Sequence, residues 1–224
     1  MPSAPRRLHY FPGRLLTADD FEAEQSYLLG RRRSDSRQLH GWGVVCGLGV
    51  TPSGRGGVVI EPGLAIDGLG REIVVPDRQE MPDPRQPIDD RGEPRGEPVD
   101  ADVITICLAY AERFEDDGDP ARFVRETYTL EVHPGRAEPP PPSPAGEVVL
   151  TGSSDEVAMT LCEAAAGEAC DPADRCVPIA TVAGRKGEVH VSLCPRRTLT
   201  GTDVLLELIL GLVQRVHVLE QRVS

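Results

Sequence analysis

The sequence predicts an α+β chain that is mostly β. It comprises an N-terminal helix with a small antiparallel β domain, a further β-rich region with Pro-rich linkers, and a C-terminal coiled-coil-like helix. Three observations predict this. Gly (23) and Pro (21) make up about a fifth of the 224 residues, which suits many turns rather than a helical bundle. Short aliphatic runs alternate with Pro-Gly and Gly-Leu-Gly turn signals. Helical signatures lie near the two ends.

The first element is a helix over residues 17–38. Thr17 is placed to be its N-cap, and Asp20 three residues later completes a short capping box. Leu16 and Phe21 stand at the positions of a hydrophobic staple. Asp19, Asp20 and Glu22 lie near the start, and Arg31, Arg32, Arg33 and Arg37 near the end, as the helix dipole favours. Little of the helix is apolar enough for ordinary core. Leu16, Phe21 and Leu28 are expected to dock on the chain's own β unit. Arg31, Arg32, Arg33 and Arg37 are expected to face another subunit.

Next comes "LHGWGVVCGLGV", a tight β-turn region around a Trp42 that should be buried. Short strands are predicted at Val58–Glu61, Leu64–Asp67 and Glu72–Val75. Together these make a first domain over residues 1–76. Residues 77–100 hold almost nothing to bury and read as a linker.

A β-rich region over residues 101–199 follows. Val103–Glu112 and Phe123–His133 are predicted as a hairpin with a longish acidic loop. Residues 134–146 include four consecutive prolines, a semi-rigid polyproline spacer. Glu147–Leu150, Val157–Leu161, Val177–Val182 and Glu188–Leu193 are further short strands. Residues 200–224 form an oligomerisation or docking helix. Thr202, Leu205, Ile209, Leu212, Val216, Leu219 and Val223 occupy its a and d heptad positions. Leu206, Leu208 and Val213 widen the apolar face, which favours more than two helices or docking on another protein.

Of the six cysteines, Cys46 and Cys107 lie in apolar runs and read as small buried hydrophobes. Cys162, Cys170, Cys176 and Cys194 cluster, and four thiolates could hold zinc. They lack a C-x2-C knuckle, so disulfides and simple reduced thiols stay open beside zinc. No other cofactor is expected. His9, His40, His133, His190 and His217 offer no i,i+4 ligand pair, so each reads as a surface or locally bonded side chain. There is no P-loop, dinucleotide fingerprint, H-E-x-x-H or G-x-S-x-G motif, and nothing favours an enzyme.

Net charge is -12. Residues 1–75 are near neutral, with 9 Arg and 8 acidic residues, whereas residues 76–224 carry 15 basic and 28 acidic ones. Such a surface repels phosphate backbones, so nucleic acid is excluded as a partner. No stretch suits a bilayer span or a secretory h-region. The chain is therefore expected in the cytoplasm, unless a larger particle carries it out.

"YFPGRLLTADDFEAEQSYL", "LHGWGVVCGLGV" and "PGLAIDGLGREIVVP" follow one another in a recurring order of words. This order resembles uncharacterised proteins from gene clusters of phage-tail-like contractile injection particles. It is similar, more distantly, to the N-terminal domain of the type VI secretion baseplate subunit TssK. The matching residues are Phe11, Gly13, Leu15, Phe21, Gln25, Trp42, Gly43, Pro62, Gly63, Asp67 and Gly70. The resemblance covers about residues 9–76. The chain is much shorter than TssK, and its acidic middle and Cys-bearing region have no counterpart there. The resemblance implies a baseplate or fibre-attachment subunit, a homotrimer contacting other tail, baseplate or fibre subunits. A metal-binding or redox protein centred on the four cysteines is one alternative. A surface- or carbohydrate-binding β module is another, disfavoured by the scarcity of aromatics.

Overall fold

The computed structural model describes residues 5–54, 56–115, 123–137, 176–184, 189–193, 196–199 and 201. Residues 205, 209–212, 214–216, 218 and 219 of the C-terminal segment are also described. The fold is mixed α+β and mostly β: a helix followed by three antiparallel sheets.

Helix α1 spans Ala18–Asp35 and opens on the predicted capping box, in which the Asp20 carboxylate accepts the Thr17 N–H at 3.1 Å. That interaction fills one of the vacancies that every helix N-terminus leaves. The helix passes into one π-helical turn, Ser36–His40, and stops at Gly41. None of its residues is buried.

Eleven strands follow among the described residues. They are β1 (Gly43–Gly47), β2 (Val50–Pro52), β3 (Val58–Ile60), β4 (Gly63–Ile66), β5 (Glu72–Val75), β6 (Gln79–Met81), β7 (Ile88–Asp89), β8 (Val103–Glu115), β9 (Phe123–Pro134), β10 (Cys176–Ala183) and β11 (His190–Ser192). They pair as β1-β4-β5, β2-β3-β6 and β11-β10-β8-β9-β7. One hydrophobic cluster runs through all three sheets, from Val44, Leu48 and Ile60 to Ile106, Leu130 and Val182. It is aliphatic, as the scarcity of aromatics requires.

Residues 77–100, expected to be a linker, instead build β6 and β7. Few of their side chains are apolar, but Met81, Pro84 and Ile88 all point inward and are buried. Arg85 clamps the segment to the main sheet, donating to the carbonyls of Ala101 and Gly184.

Two turns in the chain share one construction. In Ile66-Asp67-Gly68-Leu69-Gly70, Asp67 Oδ1 accepts the N–H groups of Leu69 (2.9 Å) and Arg71 (2.8 Å). The Gly70 N–H donates to the Asp67 carbonyl. In Ile88-Asp89-Asp90-Arg91-Gly92, Asp89 Oδ1 accepts from Arg91 and Glu93, both at 3.0 Å, and Gly92 donates back to Asp89. Both glycines hold positive φ, +78° and +81°. An aspartate that caps its own turn in this way releases the chain from β4 into β5, and from β7 toward β8.

The β1–β2 link is tighter still. Gly47 and Leu48 both adopt left-handed φ, and the Leu48 side chain is fully buried. For a leucine that conformation is uncommon, and burial of its side chain offsets the strain. Residues 196–199 return beside β1. The Val44 N–H donates to the Arg197 carbonyl (2.8 Å), and the Leu199 N–H donates to that of Val44 (2.7 Å). Trp42 is half-buried, with the Arg197 guanidinium over its ring at 4.8 Å. Cys46, expected to be buried, is exposed: the pairing of β1 with β4 slips between Val44 and Cys46, which breaks the alternation that sends Val44 into the core.

Candidate functional site

The β8–β9 hairpin has two faces. Ile104, Ile106 and Leu108 pair with Pro134, Val132 and Leu130, and most of these enter the core. Side chains alternate along a strand. The intervening Thr105, Cys107 and Ala109 therefore face the other way, beside their partners His133, Glu131 and Thr129. Strand β10 adds Cys176 opposite Ala109, and Pro178 opposite Cys107. The outer face of the sheet thus gathers two thiols, an imidazole and a carboxylate from three adjacent strands.

The ligand atoms of Cys107, His133 and Cys176 all lie within 4.8 Å of one another. Cys176 Sγ stands 3.8 Å from His133 Nε2. The Glu131 carboxylate lies 3.3 Å from the same nitrogen. Cys107 is buried, Cys176 half-buried and His133 exposed, so the cluster runs from the sheet outward to solvent. The Cys176 thiol is lowered to about 7, chiefly by its hydrogen bond with Cys107, against burial, with His133 adding attraction. These three residues could hold a metal ion.

The expected set was Cys162, Cys170, Cys176 and Cys194. Cys162, Cys170 and Cys194 lie outside the described residues. Cys176 is joined instead by Cys107, read from its apolar run as core, and by His133, read as a lone surface histidine. The signal was in the alternation. In "VITICL" the core parity belongs to Ile104, Ile106 and Leu108, which sends Cys107 to the opposite face. Its neighbours there could be named only once the hairpin register was known.

The second candidate is the N-terminal arm. Residues 5–14 run back along α1. Arg14 pairs with Asp20 at 2.6 Å, and the Tyr10 hydroxyl donates to Glu24. Between arm and helix lies an open groove of about 780 Å³, lined by Arg6, Arg7, Leu8, Tyr27, Arg31 and Ser34. Tyr10, Phe11, Leu15, Phe21, Leu28 and Leu29 are all exposed.

Within the chain, the contacts of α1 with the sheets differ from those expected. Its first half, with Phe21 and Leu28, does not dock on the β unit. Its arginine end does. Arg32 pairs with Glu72 at 2.6 Å, and Arg33 stands 3.9 Å from Glu112 and 5.8 Å from the Tyr110 ring. Arg71, held by Asp67, covers the same ring at 4.5 Å. Arg31 is exposed toward the groove, and Arg37 is half-buried in the π-helical turn. The physical reason is that β5 and the hairpin present Glu72, Glu112 and Tyr110 where the helix ends.

Of the predicted heptad residues, Leu205, Ile209, Leu212, Val216 and Leu219 are helical and exposed. Thr202 and Val223 lie outside the described residues. No helix among the described residues is long and apolar enough to cross a membrane. No protein-family model matches the chain, and no curated protein matches it.

Proposed function

We propose that the chain is a non-catalytic building block that works by assembling with copies of itself. The resemblance of residues 9–76 supports reading that role as one in a phage-tail-like contractile injection particle, as a baseplate or fibre-attachment subunit. The observation that carries the reading is where apolar surface remains uncovered. The β core buries most of its apolar side chains, leaving Val45, Val74 and, near the end of β8 and the start of β9, Phe114, Phe123 and Val124 exposed; the two helical ends expose theirs as well. Phe21, Leu28 and Leu29 are exposed on α1, and Leu205, Ile209, Leu212, Val216 and Leu219 on the C-terminal helix. Short helices are marginal alone, and aliphatic side chains at a and d spacing are satisfied by further copies of themselves. Charge supports the same occupant. The groove by α1 presents Arg6, Arg7 and Arg31, and residues 76–224 of a second copy carry the excess of acid.

Sedimentation of the full chain tests this. The expected result is a defined oligomer, a trimer if the resemblance holds, that becomes monomeric on Leu212→Asp with Leu219→Asp while its circular dichroism is kept. A wild-type chain that sediments as a monomer at high concentration overturns the reading, as does a double variant that stays oligomeric. Co-purification with tail, baseplate or fibre subunits, identified by mass spectrometry, tests the particle assignment separately.

A further inference from the structure

We infer that the outer face of the main sheet is a zinc site, with Cys107 Sγ, Cys176 Sγ and His133 Nε2 as ligands and the Glu131 carboxylate in the fourth position.

The geometry carries this. Around a tetrahedral zinc, bonds of about 2.3 Å to sulfur and 2.0–2.1 Å to nitrogen or oxygen set ligand-to-ligand edges of about 3.3–3.8 Å. Cys176 Sγ to His133 Nε2 is 3.8 Å, and Glu131 Oε2 to His133 Nε2 is 3.3 Å. All ligand atoms of the two cysteines and the histidine fall within 4.8 Å of one another, so shifts of about an ångström close the three-ligand set; Glu131, which touches His133 but lies outside that mutual set, has to swing in to complete it.

The backbone favours a metal over a disulfide. Cys107 is directly opposite Pro178 and not Cys176, which sits two residues along β10. Diagonal neighbours of this kind are about 7–8 Å apart at Cα, beyond the usual span of a disulfide, yet a bridging ion takes up the difference. Glu131 is the direct cross-strand partner of Cys107, which places its carboxylate on the same face. Two thiolates with an imidazole select zinc over oxygen-loving cations such as magnesium or calcium. The three strands are the adjacent β10, β8 and β9, so the ion would staple the centre of the largest sheet.

The other cysteines could bind metal on their own account, so the test removes them. In a full chain carrying Cys46→Ser, Cys162→Ser, Cys170→Ser and Cys194→Ser, cobalt(II) is titrated as a spectroscopic stand-in. One equivalent should give a thiolate-to-cobalt charge-transfer band and intense tetrahedral d–d bands, both bleached by zinc. Cys176→Ser or His133→Ala in that background should weaken binding by more than about 100-fold, the upper cost of losing even an outer-shell partner. Both residues are at least partly exposed, so the fold survives their replacement, as circular dichroism checks. Glu131→Gln should weaken binding less and alter the d–d bands. Absence of the tetrahedral spectrum in the four-serine chain overturns the proposal. So does equal affinity in the Cys176→Ser and His133→Ala variants.

Discussion

The backbone of Gly70 lies so close to the carbonyl of Arg33 that a Cβ on residue 70 would stand 2.8 Å from the Arg33 carbonyl carbon and nearer still to its oxygen. Gly92 occupies the same place in the sister turn, with the same sign of φ and nothing within 4 Å of a built Cβ. The pair separates conformational strain from steric exclusion. Gly92→Ala should cost about 1–2 kcal/mol, the penalty of a side chain in the left-handed region. Gly70→Ala should cost about 1–3 kcal/mol more, because helix α1 must also move. Urea denaturation of both variants measures this, and equal losses would show that α1 does not rest on the turn.

Arg32 and Glu72 join the helix to β5, but both are substantially exposed. Such pairs contribute little, and a double-mutant cycle through Arg32→Ala and Glu72→Ala should return a coupling of about 0.5 kcal/mol. Raising the salt concentration should shrink it further. A coupling above about 2 kcal/mol would mean that the pair is desolvated in solution.

The Asp89 carboxyl is held below its ordinary value of 3.8. Burial pushes it up, but the N–H groups of Glu93 and Arg91 and the charge of Arg95 outweigh that. A carboxyl whose folded pKa is depressed adds stability that is fully present above its unfolded pKa. That stability is lost as pH falls through the folded pKa. Acid titration of the wild-type chain should therefore show a stability loss below pH 3.8 that is smaller in Asp89→Asn. Asp89→Ala, which also strips the turn of its acceptor, should cost roughly 1–2 kcal/mol at neutral pH.

Tyr110 stands between two carboxylates. Its hydroxyl is within 2.7 Å of Glu112 and 2.9 Å of Glu126, which face each other across the β8–β9 pair. Burial, with hydrogen bonds to both, raises the pKa of the phenol. Like charges directly opposite destabilise a sheet, and the hydroxyl with the nearby Arg33 relieves that repulsion. Tyr110→Phe keeps the ring under Arg71 and removes only the hydroxyl. It should destabilise by about 1–2 kcal/mol in thermal or urea unfolding.

Local chemistry was legible wherever neighbours in sequence decide it. The Thr17–Asp20 cap, the β3, β4 and β5 runs and the β8–β9 hairpin all fall where turn residues and alternation place them. What pairing decides was not legible. Residues 77–100 looked empty because a few buried side chains, Met81, Pro84 and Ile88, are enough to seat the segment. Cys107 and His133 are 26 positions apart and meet only through hairpin register. The direction in which α1 docks depends on where Glu72, Glu112 and Tyr110 come together, which no helical pattern encodes.

One mechanical consequence follows from how α1 is held. The ion pairs and ring contacts that join it to the sheets are made by Arg32 and Arg33, in its last turn. An 18-residue helix fixed at its root is a cantilever about 27 Å long. A tilt of about 10° at the Gly70 contact would swing its far end, with Phe21 and the arm beyond it, by about 5 Å. A helix anchored in this way can offer Phe21 and the arm at slightly different angles while the β body keeps one shape.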